Sequence, residues 1–178
     1  MSTMIGLPVT AFENDQNFPE GGKGFKIKAG EGRIHGHIHL KGVNSNILDV
    51  KISGKDTGGA LAVFEQTSLS PKRGTPLHLH YFQDEVFYVL EGEYLFQVGE
   101  EKHRLKTGDS IFLPRKVSHA WTQLSEKGKM MVTLQPAGKL EEFFVTMAAM
   151  KTEPTPMEVA QVFEDHEMKV VGPPLRID

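Results

Sequence analysis

Between residues 25 and 135 apolar positions recur in short, largely alternating runs, cut by turn residues. The spacing is about ten residues, the pattern of an all-β sandwich or barrel. "NILDVKISG" sets Leu48, Val50 and Ile52 on one face of a strand, and "GALAVFEQTS" follows the turn "GKDTGG". "EVFYVLEGEYLFQVGEE" reads as a hairpin turning at Glu91-Gly92, and "KHRLKTGDSIFLP" and "KGKMMVTLQP" continue the series. "RIHGHIHL" reads as a half-buried edge strand, with Ile34, Ile38 and Leu40 on one face and His35, His37 and His39 on the other.

The period changes after residue 138. Leu140, Phe143, Phe144 and Met147 form the i, i+3, i+4, i+7 stripe of an amphipathic helix. "PTPMEVAQVFEDHEM" predicts a second helix, with Pro156 in its first turn and Val159, Val162 and Phe163 on one side. The ending "VVGPPLRID" is too proline-rich for regular structure, and residues 1–24, with Pro8, Pro19 and four glycines, read as an arm. The expected division is an N-terminal arm over 1–24, a β-barrel over 25–138 and a helical segment over 139–178 packed on the barrel.

Composition narrows the function. The chain has 178 residues, 39% of them hydrophobic, enough for one globular core. Twenty basic and 23 acidic side chains, without a basic run, argue against nucleic-acid binding. No segment has the apolar length of a membrane helix or the layout of a signal peptide, so a cytoplasmic location is expected. Cysteine is absent, so a bound metal must use imidazole, carboxylate or water.

Histidines provide the candidate chemistry. In "HLHYFQDE", His78 and His80 are two apart on a strand and share a face about 6.5–7 Å apart, within reach of one ion. Glu85 follows after a turn, and "GDSIFLPRKVSHAW" returns His119 antiparallel to the same region. Three neutral imidazoles and one carboxylate would leave a divalent ion a net charge near +1 with open positions. Asp84 should face the other way. His35, His37 and His39 lack a carboxylate at a useful offset, and His103 and His166 read as solvated residues.

These residues resemble the two motifs of the cupin superfamily. His78, His80, four residues, Glu85, six residues and Gly92 match the first, with Gly74 two residues nearer the histidine than usual. Gly108, five residues, Pro114 and His119 match the second, which departs at Lys116, usually Gly, and Gln123, usually Asn. A non-Gly side chain at Lys116 would stand where a positive φ is often needed. The resemblance implies a double-stranded β-helix, or jelly roll, with the site inside the barrel.

"DTGGALAVFEQTSLSPKRGTPLHLH", "LPRKVSHAW" and "LQPAGKLEEFF" are similar to single-domain cupins related to quercetinase, the flavonol dioxygenase. That resemblance implies a dioxygenase acting on a small aromatic or enolisable hydroxy-ketone. One divalent ion (Fe, Mn, Ni, Cu or Zn) would be held by His78, His80, Glu85 and His119, with Glu85 also taking the substrate proton. A non-catalytic cupin binding a metal and a small molecule, or a metal-dependent isomerase, uses the same ligands. Phe82, Phe87, Phe96, Phe112, Leu113, Trp121, Met130 and Met147 are candidate pocket residues, with the helix at 139–150 as a candidate lid. A homodimer is expected through the edge strand in "FKIKAGEGRIHGHIHL".

Overall fold

Every second side chain of β3 (Ala62–Ser68) and β4 (Pro76–His80) is buried, as strands with one face on a core require. These strands belong to different sheets of a jelly roll. The computed structural model describes residues 23–41 and 44–177. The arm expected over 1–24 therefore lies, but for Lys23 and Gly24, outside the described residues.

The first sheet contains β1 (His37–His39), β2 (Ile47–Ile52), β3, β10 (Gly128–Gln135), β5 (Asp84–Glu91) and β8 (Ser110–Leu113), in that spatial order. The second contains β11 (Met168–Pro174), β4, β9 (His119–Gln123), β6 (Glu93–Val98) and β7 (Glu101–Lys106). All pairings are antiparallel. Phe64, Val89, Tyr94, Phe96, Leu113 and Met130 are completely buried between the sheets. The Phe87 and Phe96 rings meet edge to face across them, 5.2 Å between centroids.

The helices form where the apolar stripes predict them, α1 over Leu140–Ala149 and α2 over Pro156–Asp165. Thr155 and Glu158 close a capping box at the start of α2, with the proline in its first turn. Phe144 of α1 meets Phe64 of β3 edge to face at 5.2 Å, which seats α1 over the first sheet.

Three expectations are corrected. "EVFYVLEGEYLFQVGEE" is not a hairpin: β5 lies in the first sheet and β6 in the second, and Gly92 (φ +87) carries the chain between them. A Cβ on Gly92 would stand 2.3 Å from the Lys127 carbonyl oxygen, so the crossing needs glycine for space as well as for φ. "RIHGHIHL" is not one strand, because Ile34 and Gly36 take positive φ and only His37–His39 pair with β2. Ile34 is consequently exposed rather than on an apolar face. The C-terminal "MKVVGPP" does form a strand, at an edge, where a proline without an N–H interrupts no neighbour on its free side.

Candidate metal centre and cavity

The local geometry of the site follows from β4 and β9. His78 and His80 alternate with Leu77 and Leu79, which sends both imidazoles into the barrel. His119, the first residue of β9, is the direct partner of His78. Gly74 lets the β4 approach run this close: a Cβ there would stand 1.6 Å from the Trp121 carbonyl oxygen. Glu85 is the inward residue at the start of β5, on the facing sheet.

These four side chains are all buried. The histidine ring centroids lie 4.5 to 5.4 Å apart, and one nitrogen from each ring lies within 4.8 Å of the others. Glu85 Oε2 is 3.4 Å from His119 Nε2 and 3.7 Å from His80 Nε2.

Hydrogen bonds set the ring tautomers. His78 Nδ1 lies 2.8 Å from the Pro76 carbonyl oxygen, and His119 Nδ1 lies 3.1 Å from that of Val117. A carbonyl oxygen can only accept, so each Nδ1 carries the proton and each Nε2 keeps its lone pair. His119 Nε2 is fully buried with no hydrogen-bond partner among the described residues. Burial, reinforced by His119 and His80, holds His78 well below the ordinary imidazole value, and burial with His119 lowers His80 to about 3. His78 and His80 are therefore neutral, and the orphaned His119 nitrogen lies within ligand spacing of both their rings. The donor set fits a divalent transition metal, and His78, His80 and His119 can hold one.

Asp84 faces outward and forms a two-pronged ion pair with Arg115 (2.6 and 3.0 Å), so it is not part of the group. Of the first histidine cluster, His35 pairs with Glu141 (3.0 Å) and His37 with Asp49 (2.7 Å), which ties each ring to a different carboxylate. Among the described residues only His78, His80 and His119 form a group of metal-ligating spacing.

Beside this group lies a cavity of about 70 Å³, walled by Phe87, Trp121 and Met147 of the expected pocket residues. The remaining expectations are corrected. Phe82 and Phe112 are more than half exposed: Phe82 sits in the β4–β5 turn, and Phe112 lies on the outer face of β8. Phe96, Leu113 and Met130 are completely buried between the sheets and do not reach the cavity wall.

The helix expected at 139–150 as a lid does contribute Phe143 to the wall, while sequence reasoning missed Leu40, Asn44, Gln66, Phe163 and Met168. The helical stripes contained Phe143 and Phe163, but no spacing rule says which barrel mouth a helix covers. Phe163 stacks edge to face on His78 at 5.1 Å, and Phe143 on Phe163 at 4.8 Å, so both helices close over the histidine group.

Residues 66–135 match the family model described as the cupin domain. An uncharacterized protein of Methanocaldococcus jannaschii is 44% identical over 45 residues, 25% of this chain and 36% of that protein. The match thus spans little more than a third of that relative's length. Among solved structures, KdgF from a Halomonas species has 19% identity and a TM-score of 0.47, covering 51% of this chain and 78% of that one. An RmlC-like cupin from Shewanella frigidimarina has 21% identity and a TM-score of 0.43, covering 52% and 77%.

Proposed function

We propose that this chain, whose residues 66–135 are a cupin domain, is a metal-dependent dioxygenase of a small enolisable hydroxy-ketone. The observation that carries the reading is the set of Nε2 lone pairs, left bare by Nδ1 bonds to backbone carbonyls, converging with Glu85 beside an apolar cavity. His78, His80, Glu85 and His119 would hold the ion. When bound, a divalent metal would supply Lewis-acid activation of the substrate oxygens and a site for O₂.

Glu85 has the position for a second task. Its carboxylate stands at the cavity wall, where it can accept the substrate hydroxyl proton and leave an enolate for oxidation by O₂, both oxygen atoms ending in the products. Phe87, Trp121, Phe143 and Phe163 would exclude water and clamp a flat ligand.

Cavity size favours a small substrate. One water centre needs about 10–15 Å³, so the space holds roughly five. Ligand pockets for drug-sized molecules run to about 300–1,000 Å³. A hydroxy-ketone of one ring fits the space better than a flavonol, which would require α1 to move outward.

The test is oxygen uptake with product analysis, using small hydroxy-ketones and flavonols on protein loaded with Fe, Mn, Ni, Cu or Zn in turn. Uptake that depends on metal and on Glu85 supports the reading. Silence across every metal and substrate would sink it in favour of a non-catalytic binding cupin, and substrate loss without oxygen loss would indicate an isomerase.

The division into an arm over 1–24 and a barrel with two helices packed on it, its second sheet completed by β11 from the C-terminal segment, and assembly as a homodimer, belong to the same proposal. Beyond β1, the edge strand expected to pair, a contiguous apolar surface supports assembly: Val86 and Phe112 are direct neighbours on the outer face of the first sheet, both exposed. Light scattering should give twice the chain mass, and a strict monomer would overturn the dimer. No helix among the described residues is long and apolar enough to cross a membrane.

A further inference from the structure

The cavity has two polar ends. At one stand the metal-ligating side chains; at the other stand Asn44 and Gln66, each 95% buried in an otherwise largely apolar wall. Strand register gives their separation. Glu85 is opposite Leu134, Leu134 is opposite Ala62, and Gln66 is four residues beyond Ala62 on the same inward face of β3. At about 3.3 Å per residue, Gln66 lies about 13 Å along the strand from the level of Glu85. Phe87 and Val132 occupy the wall between the two levels.

Each amide is half used. The Gln66 amino group donates to Ser68 Oγ at 2.9 Å, and its carbonyl oxygen has no partner among the described residues. The Asn44 carbonyl oxygen accepts from the Asn46 backbone N–H at 3.2 Å, and its amino group has no partner among the described residues. Both residues line the cavity, and neither free atom is fully buried among the described residues. A ligand group that pairs with such an amide atom makes a hydrogen bond that the protein by itself leaves unmade.

Resting on the hydroxy-ketone reading above, we infer that Asn44 and Gln66 are specificity-determining residues that select a ligand carrying a neutral hydroxyl at the end remote from the metal. The chemistry follows from the two free atoms. Asn44 offers a donor and Gln66 an acceptor, so the complementary group must accept and donate at once. A hydroxyl does both. A methyl does neither and leaves both amides unpaired, while a carboxylate can accept from Asn44 but turns a second acceptor towards the Gln66 oxygen. Lys41 also lines the cavity, but its Nζ donates to the Met150 carbonyl oxygen at 2.8 Å at the end of α1, and its side chain is exposed.

Three hydroxy-pyranones with the same metal-binding head test this: kojic acid, with a remote hydroxymethyl; allomaltol, with a methyl in its place; and comenic acid, with a carboxylate. Calorimetric titration of the zinc-loaded full chain should show kojic acid binding about tenfold or more tighter than allomaltol, because a site built for a hydroxyl rejects the analogue lacking it. Comenic acid should be the weaker of the two polar ligands. Gln66→Met should remove the kojic acid advantage while leaving allomaltol affinity within about twofold.

Equal affinity for kojic acid and allomaltol in the wild type overturns the inference without any variant, so a folding failure of Gln66→Met does not protect it. Tightest binding by comenic acid overturns it too, in favour of Lys41 as the reader of a remote acid. Allomaltol binding to zinc-loaded but not metal-free protein separately reports the metal reading. If none of the three binds, that reading falls and takes the inference with it.

Discussion

His78 and His119 stand directly opposite each other on β4 and β9, ring centroids 4.5 Å apart, each with its Nδ1 proton given to a carbonyl two residues earlier in its own chain. The same local bond, repeated on two strands, leaves two Nε2 lone pairs facing one point. His78→Ala and His119→Ala should each lower metal content from near one per chain to a small fraction, measured by elemental analysis of untagged protein. His37→Ala/His39→Ala should leave it unchanged, because the first cluster has no metal-ligating group among the described residues. Loss only in the second variant would reverse the assignment.

Acid should destabilise the metal-free protein. Burial lowers His80 from 6.5 to about 3 and His78 well below 6.5, so below pH 6.5 the unfolded chain binds protons that the folded chain refuses. Stability is then full above about pH 6.5 and falls as the pH drops towards 3, by on the order of 1 kcal/mol per pH unit for each group. Denaturant unfolding of apo protein between pH 8 and pH 4 measures the slope. His80→Asn should flatten it, and an unchanged slope would count against a neutral buried His80.

Lys116 occupies a left-handed conformation (φ +66) in the turn before His119, and its N–H donates to the His80 carbonyl oxygen at 2.8 Å. A non-Gly residue there costs about 1–2 kcal/mol, against about 0.4–1 kcal/mol of extra unfolded-state freedom for glycine. Lys116→Gly should therefore raise stability by up to about 1 kcal/mol, and Lys116→Val should lower it. Thermal unfolding of the two variants tests the sign.

Gln123 clamps two loops from a fully buried position. Its oxygen accepts from Ser70 N at 3.1 Å, and its amino group donates to the carbonyl oxygens of Ser68 and Ser125 at 3.3 and 2.9 Å. Gln123→Ala leaves these backbone groups unpaired beside a new void and should cost about 2–4 kcal/mol in denaturant unfolding. Gln123→Asn, one methylene shorter, should retain part of the clamp and cost less; equal losses would show that length does not matter there.

Much of this protein was legible in its residue order, for local reasons. A two-residue period declares a strand and a 3.6-residue period a helix, so most strands of the barrel and both helices are readable from the apolar positions alone. His78 and His80 share a face because strand geometry allows nothing else, and the glycine turns and Pro114 bring His119 back.

Other features depended on distant partners. The crossing at Gly92 looks like a hairpin in sequence because a tight turn inside one sheet and a tight turn between two sheets use the same residues; only packing separates them. Pro173 and Pro174 read as a stop, yet the open edge of the second sheet accepts "MKVVGPP" because one side of an edge strand needs no donors. The cavity is the clearest case. Phe82 and Phe112 face outward while Asn44, outside any strand, faces in, and neither placement is encoded in local spacing. The sequence alone placed His78, His80 and His119 on strands that bring them together; which side chains surround them was decided by how two sheets and two helices close over one space.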